Sequence, residues 1–278
     1  MAKTLTLIIG RNSNLSISLQ KSIADSVLIP SLDMEDTLNL IQFDNYNKVN
    51  IIFNQFQIST KLYVIDNPID YIERSILSTS KVLSFVKNNN IKINKIIYTS
   101  SSSVYGNNTN CHEYDDLSPQ SLHASLKISN EKLIQQFSNE NNINYTIARV
   151  FNMYGGSDSF SIVSKIINTY NNYPLTLINN GEAIRDFIHI DDVVNIYKMM
   201  LNQGNIPIIN IGTGIGKSVL FILDFLRKND INIESSTITK DELKISISNN
   251  KLLLNSIDEY KFINVEEYIL KELKDKIL

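Results

Sequence analysis

Between Leu5 and Val150 the chain alternates short apolar runs with amphipathic stretches, and this alternation limits the folds open to it more than any other feature. Leu5-Thr6-Leu7-Ile8-Ile9 ends at Gly10, and Ser13 to Ala24 follows with Leu15, Leu19, Ile23 and Ala24 at helical spacing. Val27 to Ile29, Val49 to Phe53, Ile96 to Tyr98 and Tyr145 to Val150 repeat the short run. Asp36 to Phe43, Tyr71 to Val86 and Leu122 to Asn139 repeat the helical pattern. A continuous apolar run of four to six residues suits a strand buried on both faces, as in a parallel sheet covered by helices. The repetition predicts an α/β fold, a Rossmann-type doubly wound parallel sheet over residues 1–155 to which some later segments return. After residue 150 the alternation loosens. A helix is expected over Phe160 to Asn171, a strand over Leu175 to Ile178, a helix over Val193 to Leu201, an extended Ile208 to Asn210 and a helical C-terminal region. Residues 156–278 then form mainly a smaller lobe.

With 278 residues, 43% of them hydrophobic, the chain can bury a sizeable core. Its net charge of −3 supplies no basic face for nucleic acid, and Lys271, Lys274 and Lys276 are interleaved with Glu272 and Asp275 as on a solvated helix face. The one cysteine, Cys111, rules out an intrachain disulfide and a cysteine-rich zinc site, and is expected in a loop. His112 and His189 stand in no metal-ligand spacing, so no metal is expected. Leu5 to Ile9 is too short for a leader or a membrane span, and a cytoplasmic protein is the expectation.

An apolar strand that ends in glycine and opens a helix offers unpaired N–H groups and a positive dipole end to a pyrophosphate. In Gly10-Arg11-Asn12-Ser13-Asn14-Leu15-Ser16, glycine stands only at the first of the three positions where a dinucleotide turn usually has it; Ser13 and Ser16 take the others. Gly10, Arg11, Ser13, Asn14 and Leu15 are the cofactor-binding candidates here. Taken alone, the segment leaves dinucleotide binding and a relic turn equally open.

Five further segments carry a resemblance. Ile96-Ile97-Tyr98-Thr99-Ser100-Ser101-Ser102-Ser103-Val104-Tyr105-Gly106 is similar to the strand and loop that hold the catalytic serine of extended short-chain dehydrogenases/reductases, the nucleotide-sugar epimerase/dehydratase family. Ser118 to Lys127 resembles the segment with Tyr-x-x-x-Lys. Arg149-Val150-Phe151-Asn152-Met153-Tyr154-Gly155 resembles the strand end and loop shared by cofactor and substrate. Gly181 to Val193 and Asn210 to Gly214 resemble the substrate-domain signature. The order and spacing are the family's, and the resemblance spans most of residues 5–216.

What the resemblance implies is specific. NAD or NADP would be held by the first turn, with Asp33 near the adenine, Asn54 and Gln55 near the ribose, and Lys127 and Phe151 completing the set. A nucleotide-sugar would be bound through Ser101, Ser102, Asn152 and Arg185, the last of these in the mainly substrate-binding C-terminal lobe. Arg185 suits a diphosphate because a guanidinium fork matches phosphate oxygens; a salt bridge to Asp186 is the other reading. Asp191 reads as the cap of the following helix. Ser75 and Ser78 stand where the family usually has Asn and Gly. A dehydratase is disfavoured, since Ser102 and Ser103 occupy the positions of its acidic pair. The family also implies a homodimer built on two long helices, with Leu126, Leu133 and Ile134 compatible with that interface or with the core, and a role in surface-polysaccharide sugar synthesis.

The catalytic candidates are Ser101, His123 and Lys127, and His123 stands where the family has tyrosine. Three accounts stay open: His123 transfers the proton, with an ordinary pKa of about 6.5 suited to neutrality; the site is inactive; or Tyr105 or Tyr154 takes over. The first reads the chain as an NAD(P)-dependent epimerase or reductase of a nucleotide-activated sugar. The second reads it as a non-catalytic binding relative or partner subunit.

Overall fold

The computed structural model describes residues 3–55, 67–170, 172–257 and 259–277. The elements run β1 (Thr4–Ile9), α1 (Asn14–Ser22), β2 (Ser26–Ile29), α2 (Met34–Asn39), β3 (Lys48–Phe53), α3 (Pro68–Ile72), α4 (Ser78–Asn88) and β4 (Ile93–Ser101). β5 (Asn110–Cys111), α5 (Leu122–Glu140), β6 (Asn144–Val150), β7 (Asn152–Tyr154), α6 (Ile162–Thr169), β8 (Leu175–Ile178) and β9 (Ile184–His189) follow. The chain closes with α7 (Ile190–Asn202), β10 (Ile208–Ile211), β11 (Gly216–Ser218), α8 (Val219–Arg227), β12 (Ser235–Ile238), β13 (Ile245–Ser248), α9 (Lys251–Ser256) and α10 (Val265–Ile277).

Two compact units divide the chain. The first comprises Met1–Val104, Pro119–Arg149 and Val194–Ile209, and the second Tyr105–Ser118, Val150–Val193 and Asn210–Leu278. The first unit takes back residues 194–209 and releases residues 105–118, so the units interleave along the chain.

The first unit is built on a six-stranded sheet of order β10-β6-β4-β3-β1-β2. β1 pairs in parallel with β2 and with β3, and β3 with β4. The apolar runs explain this: Leu7, Ile8 and Ile9 on β1 and Ile51, Ile52 and Phe53 on β3 are all fully buried, which only a sheet covered on both faces allows. One face packs Leu7, Ile9, Ile51 and Phe53 against Val82 and Val86 of α4 and Ile134 of α5. Because β2 and β3 lie on opposite sides of β1, the strand order reverses there. The crevice at such a switch point, outside the carboxyl ends of the strands, is where α/β sheets bind ligands. Gly10 follows β1 and Asn54 follows β3, one on each side of it.

α3 and α4 form one continuous helical stretch, joined by a π turn over Glu73–Leu77 that periodicity alone does not announce. Ile134 is fully buried, Leu126 nearly so, and Leu133 packs on the core, so these residues serve the interior of the first unit.

In the second unit a sheet of order β11-β9-β13-β5, with β7 also on β9, stands beside the pair β12–β8. Tyr154, Val163, Ile166, Leu177, Phe187, Ile222, Leu226, Ile269 and Leu273 form its core. The expectation of a helical C-terminal region needs correction, because β11, β12 and β13 lie within it. Each of these strands pairs with a segment far away in sequence, and β12 is exposed throughout, so none of the three carries a strong local signal. Cys111 is likewise no loop residue. It is fully buried in β5, which pairs with β13.

Candidate active site and cofactor turn

Helix α5 organises the first unit's site. Its N-cap is Ser121, whose side chain accepts the N–H of Ala124. His123, Lys127 and Glu131 follow at intervals of four and therefore share one face, about one turn apart. Lys127 is almost fully buried, and its Nζ donates to the carbonyl oxygens of Thr99 at 2.7 Å and Gln55 at 3.2 Å, joining the ends of β4 and β3. Its ammonium also lies 5.1 Å from the centre of the Tyr98 ring. Burial lowers the Lys127 pKa to about 7, with Glu131 opposing the shift. His123 is half-buried, and burial followed by the charge of Lys127 lowers its pKa to about 4, so the imidazole is neutral near pH 7. Gln55, Arg74, Ser75, Tyr98, His123, Leu126 and Lys127 line a small cavity of about 10 Å³, room for about one water.

Ser101 ends β4, two residues beyond the carbonyl that holds Lys127. Its Oγ accepts from the N–H of Ser103 at 3.2 Å and the hydroxyl of Ser103 at 3.0 Å. Ser102 opens the 3-10 turn Ser102–Tyr105 and is half-buried. Below this loop, Glu131 receives both Nε and Nη2 of Arg149, at 3.1 and 2.7 Å, and the hydroxyl of Ser100. Glu131 and Arg149 are both buried, and a buried carboxylate needs this full set of partners. The sequence reading missed the pair; the signal was a charged residue one turn beyond Lys127 on a face that must be interior.

Tyr105 and Tyr154, the alternatives to His123, are both in the interior of the second unit. The Tyr105 hydroxyl donates to Asn210 Oδ1 at 2.7 Å, and that of Tyr154 to the carbonyl of Ile263 at 3.0 Å. Burial pushes the Tyr154 pKa far above the ordinary phenol value, so it is a poor proton donor near neutrality.

At the first turn, Ser13 caps α1 and accepts from the N–H of Ser16 at 3.4 Å. Asn14 begins the helix, Leu15 is fully buried beneath it, and Arg11 is exposed in the turn. Gly10 has φ +104°, and a Cβ there would lie 2.3 Å from the carbonyl oxygen of Asn54, so only glycine fits. Asn54 is fully buried; its Nδ2 donates to Ser13 Oγ and to Ser16 Oγ, each at 2.8 Å, and its Oδ1 has no hydrogen-bond partner. Gln55 reaches the hydroxyls of Ser78 and Thr79, and Asn130 that of Ser75 at 2.8 Å. The two serines on the helical stretch are thus side-chain acceptors. Asp33 follows β2, exposed and in the left-handed region at φ +54°. A switch-point crevice, a glycine that no other residue can replace and a buried orphan oxygen beside a nine-residue helix's N-terminus fit a dinucleotide. Gly10, Ser13, Asn14, Asn54 and Asp33 could hold its phosphates and riboses.

The second unit carries the remaining candidates. Phe151 is buried, donates its N–H to the carbonyl of Ile211 at 2.9 Å and stacks on Tyr105 with ring centres 6.5 Å apart. Asn152 Nδ2 donates to the carbonyl of Asp186 at 3.1 Å. Arg185 is partly buried, and its ion pair is with Glu242 at 3.4 Å, not with Asp186. Asp186 is fully buried and accepts from Thr213, Gly214 and Ser248, so it is spent on tying the loop between β10 and β11 to the end of β13. Glu242 has no counterpart in the sequence reading, because 57 residues separate it from Arg185. Asp191 does not cap α7, which begins at Ile190. His189 Nδ1 accepts the N–H of Asp191 at 3.2 Å and does the capping from one residue outside the helix.

The chain resembles many known proteins in sequence and in fold. Protein CapI of Staphylococcus aureus is 30% identical over 185 residues, 62% of this chain and 55% of that protein. UDP-glucuronate 4-epimerase of Thermodesulfobacterium geofontis is 28% identical over 249 residues, 82% of this chain and 75% of that enzyme. The chain thus spans between about half and three quarters of these relatives. Among solved structures, UDP-N-acetylglucosamine 4-epimerase from Methanobrevibacter ruminantium M1, in complex with UDP-N-acetylmuramic acid, superimposes with a TM-score of 0.79. The match covers 100% of this chain and 99% of that one at 21% identity, which speaks for the fold. The model of the NAD dependent epimerase/dehydratase family matches residues 9–212, from the last residue of β1 to the loop after β10. With that match reaching from the glycine turn through the serine loop and α5, the chain belongs to the NAD dependent epimerase/dehydratase family.

Proposed function

We propose that the chain is an NAD(P)-dependent enzyme that acts on one carbon of a nucleotide-activated sugar, as an epimerase or a reductase. The observation that carries this reading is the α5 face, where His123 stands one turn before a buried Lys127 tied to the end of the strand that bears Ser101. A bound nicotinamide supplies hydride exchange at a sugar carbon. Everything else falls to the chain. The Ser101 hydroxyl is the hydrogen-bonding group for the reacting sugar oxygen; neutral His123 takes the proton of that oxygen, and the imidazolium so formed returns it. Lys127 holds its neighbours by charge and, second to burial, helps keep the imidazole deprotonated. Arg185 and Asn152 serve the nucleotide diphosphate, with Glu242 as the anion that phosphate must displace from Arg185. The family match and a face that groups His123, Lys127 and Glu131 favour an enzyme over a binding-only relative.

The test is turnover. A panel of UDP-, dTDP- and GDP-sugars is incubated with NAD and, separately, with NADPH. Product is expected with at least one sugar and is to be lost in Lys127→Met. An epimerase gives an isomeric sugar without net cofactor reduction, whereas a reductase consumes NADPH. No turnover by wild type across the panel, with turnover gained in His123→Tyr, would overturn the reading in favour of a binding-only role.

A further inference from the structure

The chain departs from the usual dinucleotide turn at Ser13 and Ser16, and Asn54 bonds to both. These residues lie about forty positions apart, and the switch point between β1 and β3 brings them together. Four of the turn's backbone donors are spent inside the fold. The N–H groups of Gly10 and Arg11 go to the carbonyl of Ile29, that of Ser13 to the carbonyl of Gly10, and that of Ser16 to Ser13 Oγ. Serine at position 13 cannot give a phosphate the close backbone approach that glycine gives. A hydroxyl oxygen has two acceptor sites and one donor hydrogen. On Ser13 both acceptor sites are filled, one by the N–H of Ser16 and one by Asn54 Nδ2. Its hydrogen is left to donate, at the half-buried N-terminus of α1, where an anion is favoured. The other end of the same amide, Asn54 Oδ1, is buried without a partner and marks where a ligand's donor, such as a ribose hydroxyl, belongs.

We propose that Asn54 is a positioning residue for the cofactor: its amide clamps Ser13 and Ser16 and commits the Ser13 hydroxyl to the pyrophosphate, in place of the missing glycine. This rests on the dinucleotide reading above and refines it. Ser16 is the second anchor of the clamp, and Gly10 must stay glycine because the Asn54 main chain lies against it.

Calorimetric titration of NAD and NADP into the purified full chain tests it, with adenosine as a phosphate-free probe and thermal melting as a check of the fold. Ser13→Ala and Asn54→Ala are each expected to weaken dinucleotide binding about tenfold, the loss of one hydrogen bond to a charged group. The double variant is expected to be no weaker than either, because the two act as one device. Ser13→Thr, which keeps the hydroxyl, should bind as wild type does, and adenosine affinity should not change in either Ser13 variant. Asn54→Asp keeps the shape but can only accept, so it draws the Ser13 hydrogen inward and should weaken binding even where the alanine variant does not fold. Equal dinucleotide affinity in wild type and the Asn54 variants, or losses that simply multiply in the double variant, would overturn the clamp alone. Wild type that binds neither dinucleotide would overturn the clamp and the dinucleotide reading together.

Discussion

Burial moves His123 and Lys127 on the α5 face in one direction, toward their uncharged forms. His123 falls from 6.5 to about 4, and Lys127 from 10.5 to about 7, so between these values the pair is a neutral imidazole beside an ammonium. A base must be deprotonated to act, so activity that uses His123 rises as pH climbs through about 4. An ammonium that must stay charged fails as pH climbs through about 7. The pH profile of kcat/KM for the proposed reaction is therefore expected to fall off on both sides of this window. His123→Gln should lower the rate and abolish the acid limb while leaving the alkaline one. NMR titration of the His123 ring gives an independent check, and an imidazole titrating near its ordinary value would contradict the burial argument.

Helix α5 converts these residue properties into a site because its register is held at both ends of the functional face. Ser121 caps its first turn, and the Glu131–Arg149 pair anchors it to β6 two turns after His123. His123 is the second residue of the helix, so it feels any fraying of the first turn. Ser121→Ala is expected to cost about 1 kcal/mol of stability. It should also lower kcat more than it raises KM, because the imidazole loses its fixed place while the nucleotide contacts do not. Ser121→Asp, another good cap, should restore both. Melting curves and steady-state kinetics on the two variants decide this. The stretch from Pro68 to Asn88 makes the same point differently: its π turn contains Ser75, which accepts from Asn130, and is followed directly by Ser78, which accepts from Gln55.

Each of the two units has its own core, so each can bury enough apolar surface to hold its half of the machinery. The first unit nevertheless leaves apolar side chains outside. Ile69, Ile72 and Leu77 on the helical stretch and Leu122 at the head of α5 are exposed, while Leu126 and Ile134 are interior. We propose that a homodimer forms on these two helices through the exposed set. Light scattering is expected to give a dimer mass for wild type and a monomer mass for the double variant Leu77→Asp, Leu122→Asp. A wild-type monomer mass that does not change with concentration would refute the dimer.

The sheet of the first unit was legible because a strand buried on both faces must be written as a run of apolar residues, and β1, β3, β4 and β6 are so written. The glycine turn, the serine loop and the spacing of His123 and Lys127 were legible because each lies within one element or one turn. The partners were not. Asn54 meets Ser13 and Ser16, Glu131 meets Arg149, and Glu242 meets Arg185 across gaps of 18 to 57 residues, and a chain records no distance between such points. Nor do β5, β11, β12 and β13 announce themselves, since such short strands draw their pairing from distant segments. Local periodicity thus determined the fold class and the candidate residues. Only the tertiary structure decided which charges are neutralised, which hydroxyls are committed and which proton affinities are shifted, because burial and pairing are properties of neighbours in space.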